Sequence, residues 1–177
     1  MPKDILGPII VRYAGLFDLD TLYSSIIDWA KNYGYMWHEK SYKHKIPSVL
    51  GAEQELDWEL SKNVTEYIKY VIKIRLLLTE MTELEVNTGG KTKQLTSGRL
   101  YLTMNGVVEW DWQKRFEKGG RLGKWLGKMY ERATQKELES IYMDTLWYRM
   151  WNLQGMIKKI LDLQTKKHAF KEYLGES

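Results

Sequence analysis

Two histidines and one glutamate are the side chains of this sequence best suited to acid–base chemistry. His38 and His44 lie in one segment of alternating polar and apolar residues, and Glu80 interrupts a later alternation. Histidine and glutamate can exchange protons with a substrate when they come within hydrogen-bond reach. On one strand, however, His38 and His44 would lie about 20 Å apart, too far for two ligands of one metal ion. Because His168 is the one other histidine, we expect no metal site. A His–Glu acid–base pair using Glu80 stays open, but nothing in the spacing demands it, so we assign no catalytic residue.

The same residues form a candidate polar pocket. His38, Tyr42, His44 and Glu80 occupy even-numbered positions, the parity that the apolar residues of the strands follow. Buried polar groups need hydrogen-bond partners. A cavity that holds water or a polar ligand would supply them, and so would a sheet edge that extends beyond its covering helix into solvent. Both interpretations stay open, and the sheet edge is the simpler one.

A basic, glycine-rich segment around Gly119–Lys124 invites comparison with a phosphate-binding loop. A Walker A loop would need glycine at position 118 and serine or threonine at position 125, where this chain has Lys118 and Trp125. A basic cluster at a predicted helix start remains, and it would suit a phosphate, an acidic partner or a membrane surface. The candidate anion-binding residues are Lys118, Arg121, Lys124 and Lys128. A soluble turn would carry the same charges, and nucleic acid is not an expected partner because no nucleic-acid motif is present.

The composition narrows the classes of protein further. The chain has 177 residues and no cysteine, which excludes thiol catalysis, zinc–thiolate sites and iron–sulfur clusters held by cysteine. Its formal net charge of +4 is a modest basic bias. We expect a single α+β domain over residues 1–177 and no cofactor. The sequence shows neither a signal peptide nor a transmembrane run, so we expect a cytoplasmic protein.

An alternation of polar and apolar residues from Ala52 to Trp112 predicts the elements that position these side chains. The even positions are apolar, as at Leu56 and Trp58, and the odd positions are mostly polar. A period of two indicates long antiparallel strands with one buried face. The predicted strands cover residues 9–13, 36–46, 52–62, 66–86 and 93–112. Asp18 is predicted to cap a helix between the first two strands, and residues 121–170 form a C-terminal helical segment.

The predicted fold is α+β, with a curved antiparallel β-sheet packed on a long C-terminal helix in the order β-α-β-β-β-β-α. Opposite charges predict the strand register. Between the second and third strands, Lys45 would face Glu53 and Lys43 would face Glu55. Between the third and fourth strands, Glu59 would face Lys69. The outer face of the sheet is then charged and solvated, and a slip of one residue would bury the charges.

The C-terminal helix carries two apolar flanks. One stripe is assigned to the core and consists of Tyr142, Leu146, Leu153, Met156, Ile160 and Leu163. Met143, Trp147 and Trp151 follow the spacing i, i+4, i+8 on a separate flank. If the sheet leaves this flank uncovered, it is an aromatic patch of the kind that marks an interface. A curved sheet could instead bury both flanks, and the two interpretations stay open.

Long antiparallel strands followed by a long C-terminal helix resemble the START-like superfamily, also called Bet v 1-like or SRPBCC, whose sheet grips such a helix. The sequence also resembles small archaeal proteins of this type. The likeness covers nearly the whole chain but rests on element order and not on a diagnostic motif. One departure is that the superfamily usually has two short helices after its first strand, whereas only one is evident here. The resemblance implies an apolar ligand held between sheet and helix.

We therefore predict a non-enzymatic binding domain, since no nucleophile, base and orienting group can be traced together. Its ligand would be an apolar or amphipathic small molecule. The predicted lining residues are Trp58, Tyr70, Ile72, Leu102, Met104, Trp110, Tyr142 and Leu146. The alternative is a structural or assembly subunit, a homo-oligomer that self-associates through the long helix or the edge strands. A cavity would favour the ligand binder, and a filled core would favour the assembly subunit.

Overall fold

The computed structural model describes residues 3–48, 51–88, 91–113, 129 and 139–163. The elements are β1 Lys3–Phe17, α1 Leu19–Asn32, β2 Met36–Ser48, β3 Gly51–Asn63, β4 Ile68–Thr88, β5 Lys91–Trp110 and α2 Asp144–Ile160. The strands form one five-stranded antiparallel sheet in the order β1-β5-β4-β3-β2, so β1 and β2 are the two edges. A wide π-helical turn, Glu139–Met143, leads into α2. The predicted α+β class, antiparallel sheet and C-terminal helix are confirmed.

Helix α1 begins and ends as its sequence predicts. Asp18 is the N-cap, and its side chain accepts a hydrogen bond from the backbone N–H of Thr21 at 2.9 Å. Gly34 follows the helix with a φ of +73°, a conformation that glycine adopts without steric cost. Between these ends, Leu22 and Ile26 are fully buried. The helix therefore covers one part of the apolar face of the sheet.

Helix α2 packs on the same face but is rotated relative to the predicted stripe. Its buried residues are Leu146, Met150, Leu153, Gln154 and Ile157. Met150 is buried because β5 has glycine at position 106, where a Cβ atom would lie 2.5 Å from the Met150 sulfur. Met156 and Ile160 are half-buried at the rim of the core, as their assignment to the core predicts, whereas Leu163 is exposed and was assigned wrongly. The π-helical turn also shifts the phase of Tyr142 relative to α2.

The register between β2 and β3 agrees with the charge prediction near the β2–β3 turn. Lys45 lies opposite Glu53, with 2.8 Å between Nζ and Oε2, and Lys43 lies opposite Glu55 at 3.5 Å. Toward the other end of the pair, a bulge between Glu39 and Ser41 changes the register.

The register between β3 and β4 was predicted wrongly. Glu59 lies opposite Lys73 and not Lys69. The connecting turn is wider than predicted because the Thr65 hydroxyl accepts hydrogen bonds from the backbone N–H groups of Tyr67 and Ile68. The pairing moves by an even number of residues, so the side chains keep their predicted faces.

A second bulge changes β4 between Thr79 and Thr82. Glu80 has a φ of +56° and is exposed, while Met81 is buried in its place. Two glycines make room for this bulge: a Cβ atom on Gly51 would lie 2.8 Å from the Glu80 carbonyl carbon, and one on Gly98 would lie 3.0 Å from the Thr79 oxygen. The bulge explains why the apolar alternation breaks at Glu80.

None of the helices in the described ranges combines the length and apolarity needed to cross a bilayer. The predicted extent of the single domain, residues 1–177, and of the helical segment, residues 121–170, includes stretches outside the described residues. Both stay predictions.

Candidate functional site

The predicted ligand-lining residues come together on the helix-covered face of the sheet. Ile72, Leu102, Met104 and Leu146 are 0% exposed. A water-sized probe therefore reaches none of their surface, so no void of that size borders these four side chains. The space between β5 and α2 is filled at this level by direct contact of side chains.

The polar groups of the aromatic side chains around these four residues form hydrogen bonds within the protein. The Tyr70 hydroxyl donates a hydrogen bond to the Tyr142 backbone oxygen at 2.8 Å. Burial, reinforced by the neighbouring Tyr142, raises the pKa of Tyr70 to about 12. The Trp110 indole N–H donates to the Asp4 carboxylate at 2.6 Å. These bonds fasten the C-terminal segment and the start of β1 to the sheet.

The tip of Trp58 is held by a carboxylate that the sequence did not single out. Glu39 accepts hydrogen bonds from the Trp58 indole N–H and from the Tyr23 hydroxyl, both at 3.2 Å. Burial and the neighbouring Glu39 raise the pKa of Tyr23. The bulge in β2 brings Glu39 to the helix side, opposite Trp58. The Trp37 indole nitrogen, close by, is buried with no hydrogen-bond partner among the described residues.

The structure does not bring the predicted polar pocket together. His38 lies opposite Glu59 on the outer face, so the prediction that it shares a face with His44 was wrong. Tyr42 and His44 lie on β2 at the sheet edge and are exposed. Glu80 is exposed too and forms an ion pair with Arg99, with 3.0 Å between Oε2 and Nε. These positions agree with the sheet-edge interpretation.

The predicted anion-binding residues Lys118, Arg121, Lys124 and Lys128 lie outside the described residues. Their role stays a prediction. In the part of the chain that the structure describes, no group of three His, Asp or Glu side chains could hold a metal ion.

The outer face of the sheet is lined by charges that mostly neutralise one another. A groove of about 610 Å³ lies over β2, β3, β4 and β5, where the Arg75 guanidinium contacts Asp57 at 2.8 Å. A second groove of about 440 Å³ lies over β4, β5 and β1. There the Arg12 guanidinium lies 5.3 Å from the centre of the Tyr101 ring.

Helix α2 exposes an apolar surface that only partly matches the predicted interface. Trp151 is 46% exposed, whereas Met143 and Trp147 are half-buried against the core. Tyr148 is 72% exposed and Ile141 is also exposed, and neither was predicted. The three-residue spacing from Trp151 would have revealed Tyr148 had Met150 been assigned to the core, whereas Ile141 lies in the π-helical turn before α2.

The two edge strands differ in what they present to solvent. On β2, three exposed lysines form ion pairs with β3: Lys40 with Glu59, Lys43 with Glu55 and Lys45 with Glu53. Met36 at 64% and Tyr42 at 54% are exposed on β2 as well, so the lysines and not a lack of apolar side chains distinguish this edge. On β1, the exposed side chains include three large apolar ones, Ile5 at 71%, Ile10 at 39% and Leu16 at 42%. An exposed apolar edge strand is a template for pairing with another strand.

Sequence comparison adds no identity to this geometry. No protein-family model matches the chain, and no curated protein matches it significantly.

Proposed function

We propose that this protein is a non-enzymatic interaction domain that assembles with further copies of itself. The observation that carries this proposal is the contrast between a core without water-sized voids at Ile72, Leu102, Met104 and Leu146 and large apolar side chains on the surface. Apolar surface that remains exposed gains free energy when a partner covers it.

Two surfaces support self-association. One is formed by Tyr148 and Trp151 on α2 and by Ile141 in the π-helical turn that precedes it. The Trp147 and Trp151 rings meet edge to face with their centres 5.7 Å apart, so Trp151 is held in a defined orientation. The other surface is the edge of β1. Exposed aromatic side chains such as Tyr148 and Trp151 are common anchors of protein interfaces.

The test is the mass of the wild-type protein in solution, measured by sedimentation velocity over a range of concentrations and by native mass spectrometry. We expect a homo-oligomer without additional small-molecule mass. A monomer at all concentrations would contradict the proposal. A monomer that carries extra mass, lost on denaturation, would favour the second candidate.

The second candidate is a START-like binding domain with an apolar or amphipathic ligand between the sheet and α2. The observation that favours it is that α2 follows the antiparallel strands and packs on one face of their sheet. The single helix after β1 departs from the two that the superfamily usually has. Because the layer around Leu102 is filled, a ligand would have to displace α2 or the π-helical turn Glu139–Met143. Leu102→Trp should abolish uptake of a fluorescent apolar probe if this candidate is right. Should there be no such site, the same change would only destabilise the core.

A further inference from the structure

We propose that β1 pairs edge to edge with β1 of a second copy of this chain, so that two sheets join into one continuous antiparallel sheet. This inference rests on the self-association proposed above and names the surface that carries it. Strand pairing would use the backbone groups of β1 that face away from β5, its one neighbour among the described strands.

The segment Ile9–Phe17 is the part of β1 suited to this pairing. The register of β1 against β5 shifts between Leu6 and Ile9, around Gly7 and Pro8, and has no shift from Ile9 to Phe17. Gly15 has a φ of +144° within this segment without interrupting its pairing with β5. Proline and bulges are devices that protect edges, and here they stand before this segment and not within it.

Arg12 is the one charged residue of that segment, and it does not guard the edge. Its guanidinium lies over the Tyr101 ring on β5, on the side of β1 away from the free edge. The outer side chains that remain beside the edge are Ile10, Ala14 and Leu16, all apolar and exposed. A partner strand would cover this apolar surface, while the Arg12 guanidinium stays over the Tyr101 ring on the other side of β1.

The segment is complementary to itself when the two-fold axis passes through Tyr13. Outer side chains must then face outer side chains, because successive residues alternate between the faces. Ile10 would lie beside Leu16 of the second copy, and Arg12 beside its Ala14. Centring the axis on Arg12 would instead bring two arginines directly opposite each other, which is unfavourable. We therefore propose the register centred on Tyr13 and not the one centred on Arg12.

The edge of β2 does not suit such a pairing. Antiparallel pairing of β2 with itself would bring together two strands that each carry Lys40, Lys43 and Lys45. These lysines already have glutamate partners on β3. Like charges on neighbouring strands are destabilising, so a second copy fits β1 and not β2.

The first experiment compares Ile10→Lys with Leu77→Lys by sedimentation velocity. Leu77 is on the same outer face with a similar exposure, 36% against 39% for Ile10, but on the interior strand β4. We expect Ile10→Lys to raise the dissociation constant of the dimer about tenfold or more, and Leu77→Lys to leave it nearly unchanged. Circular dichroism of both variants verifies that each is folded.

The second experiment tests the register by cross-linking. The wild-type chain has no cysteine, so a disulfide formed by a single introduced cysteine must join two chains. Tyr13→Cys should form a linked dimer under mild oxidation, because residues opposite each other across the axis have the Cα separation that a disulfide needs. His44→Cys on the β2 edge serves as the control and should stay largely unlinked.

The outcomes separate this inference from the proposed function. A dimer that persists in Ile10→Lys but dissociates in Trp151→Ala would overturn the β1 pairing and leave self-association through α2 standing. A wild-type protein that is monomeric throughout would overturn both. Equal cross-linking of Tyr13→Cys and His44→Cys would overturn the register.

Discussion

Strands β1 and β2 are the two edges of one sheet, yet their chemistry differs. β2 presents Lys40, Lys43 and Lys45, each paired with a carboxylate on β3. β1 presents Ile10 and Leu16. The one charged residue within residues 9–17, Arg12, lies over the Tyr101 ring of β5 and so points away from the free edge. Edge strands are normally protected from pairing by charge, proline or bulges. By this criterion β2 carries the charges that protect an edge strand, whereas residues 9–17 of β1 carry neither proline nor a shift of register and hold their one charge over Tyr101.

The largest expected change is in the free energy of unfolding, when a substitution on the face covered by α2 is compared with one on the edge strand β1. Gly106→Val places new atoms against Met150 and Leu146 beneath α2 and should destabilise the protein by about 1 to 3 kcal/mol. Gly7→Val on β1, where a Cβ atom meets nothing within 4 Å, should cost less than about 0.5 kcal/mol. Urea denaturation monitored by tryptophan fluorescence measures both. Equal costs would show that the helix-covered face is not tightly filled.

A second test removes the protection of β2. Lys43→Thr combined with Lys45→Thr keeps strand-forming residues but deletes two positive charges from the edge. We expect this variant to form larger species than the wild type, with an association constant raised about tenfold at the new contact. Sedimentation velocity detects the change. Lys31→Thr combined with Lys159→Thr removes the same charge from the helices and should not alter the mass. An unchanged mass for the β2 variant would mean that charge is not what distinguishes the edges.

A smaller effect concerns the residue that fastens the end of β1. Asp18 follows β1, and its carboxylate accepts hydrogen bonds from Thr21 and from Lys93 of β5, the latter at 2.6 Å. Burial opposes ionisation, but these bonds outweigh it and lower the pKa of Asp18 to about 2. Asp18→Ala removes the N-cap and should cost about 1 kcal/mol at neutral pH.

The pH dependence of this contribution has a definite sign. The pKa of Asp18 is lower in the folded protein than in the unfolded chain, so its stabilisation is complete above about pH 4 and is lost as the pH falls toward about 2. The difference in unfolding free energy between wild type and Asp18→Ala should shrink over this range. A difference that stays constant down to pH 2 would contradict the assignment.

Much of the fold could be predicted from the sequence because single residues specify it locally. The period of two fixed the buried face of β3, β4 and β5, and Asp18 and Gly34 fixed the ends of α1. The opposite charges of Lys45 and Glu53 gave the register near the β2–β3 turn. In each case the information lies within a few residues of the feature.

The rest depends on contacts between distant segments. The bulge at Glu80 requires Gly51 and Gly98 from two other strands, and the rotation of α2 requires Gly106 beneath Met150. The candidate ligand site was predicted less well than the fold because it too depends on contacts between distant segments. Its apolar residues do come together, but whether they enclose a cavity depends on how closely α2 approaches the sheet.

Amide hydrogen exchange in the edge strands β1 and β2 is the most direct test of whether β1 pairs with a second copy of the chain. Exchange of the amides in residues 9–17 and 36–48 would be followed by mass spectrometry in dilute and concentrated wild-type protein. Pairing of β1 with a second copy predicts that exchange in residues 9–17 slows as concentration rises, by about tenfold or more at saturation, while residues 36–48 do not change. Exchange in residues 9–17 that is independent of concentration, in a protein that is oligomeric under the same conditions, would contradict the account.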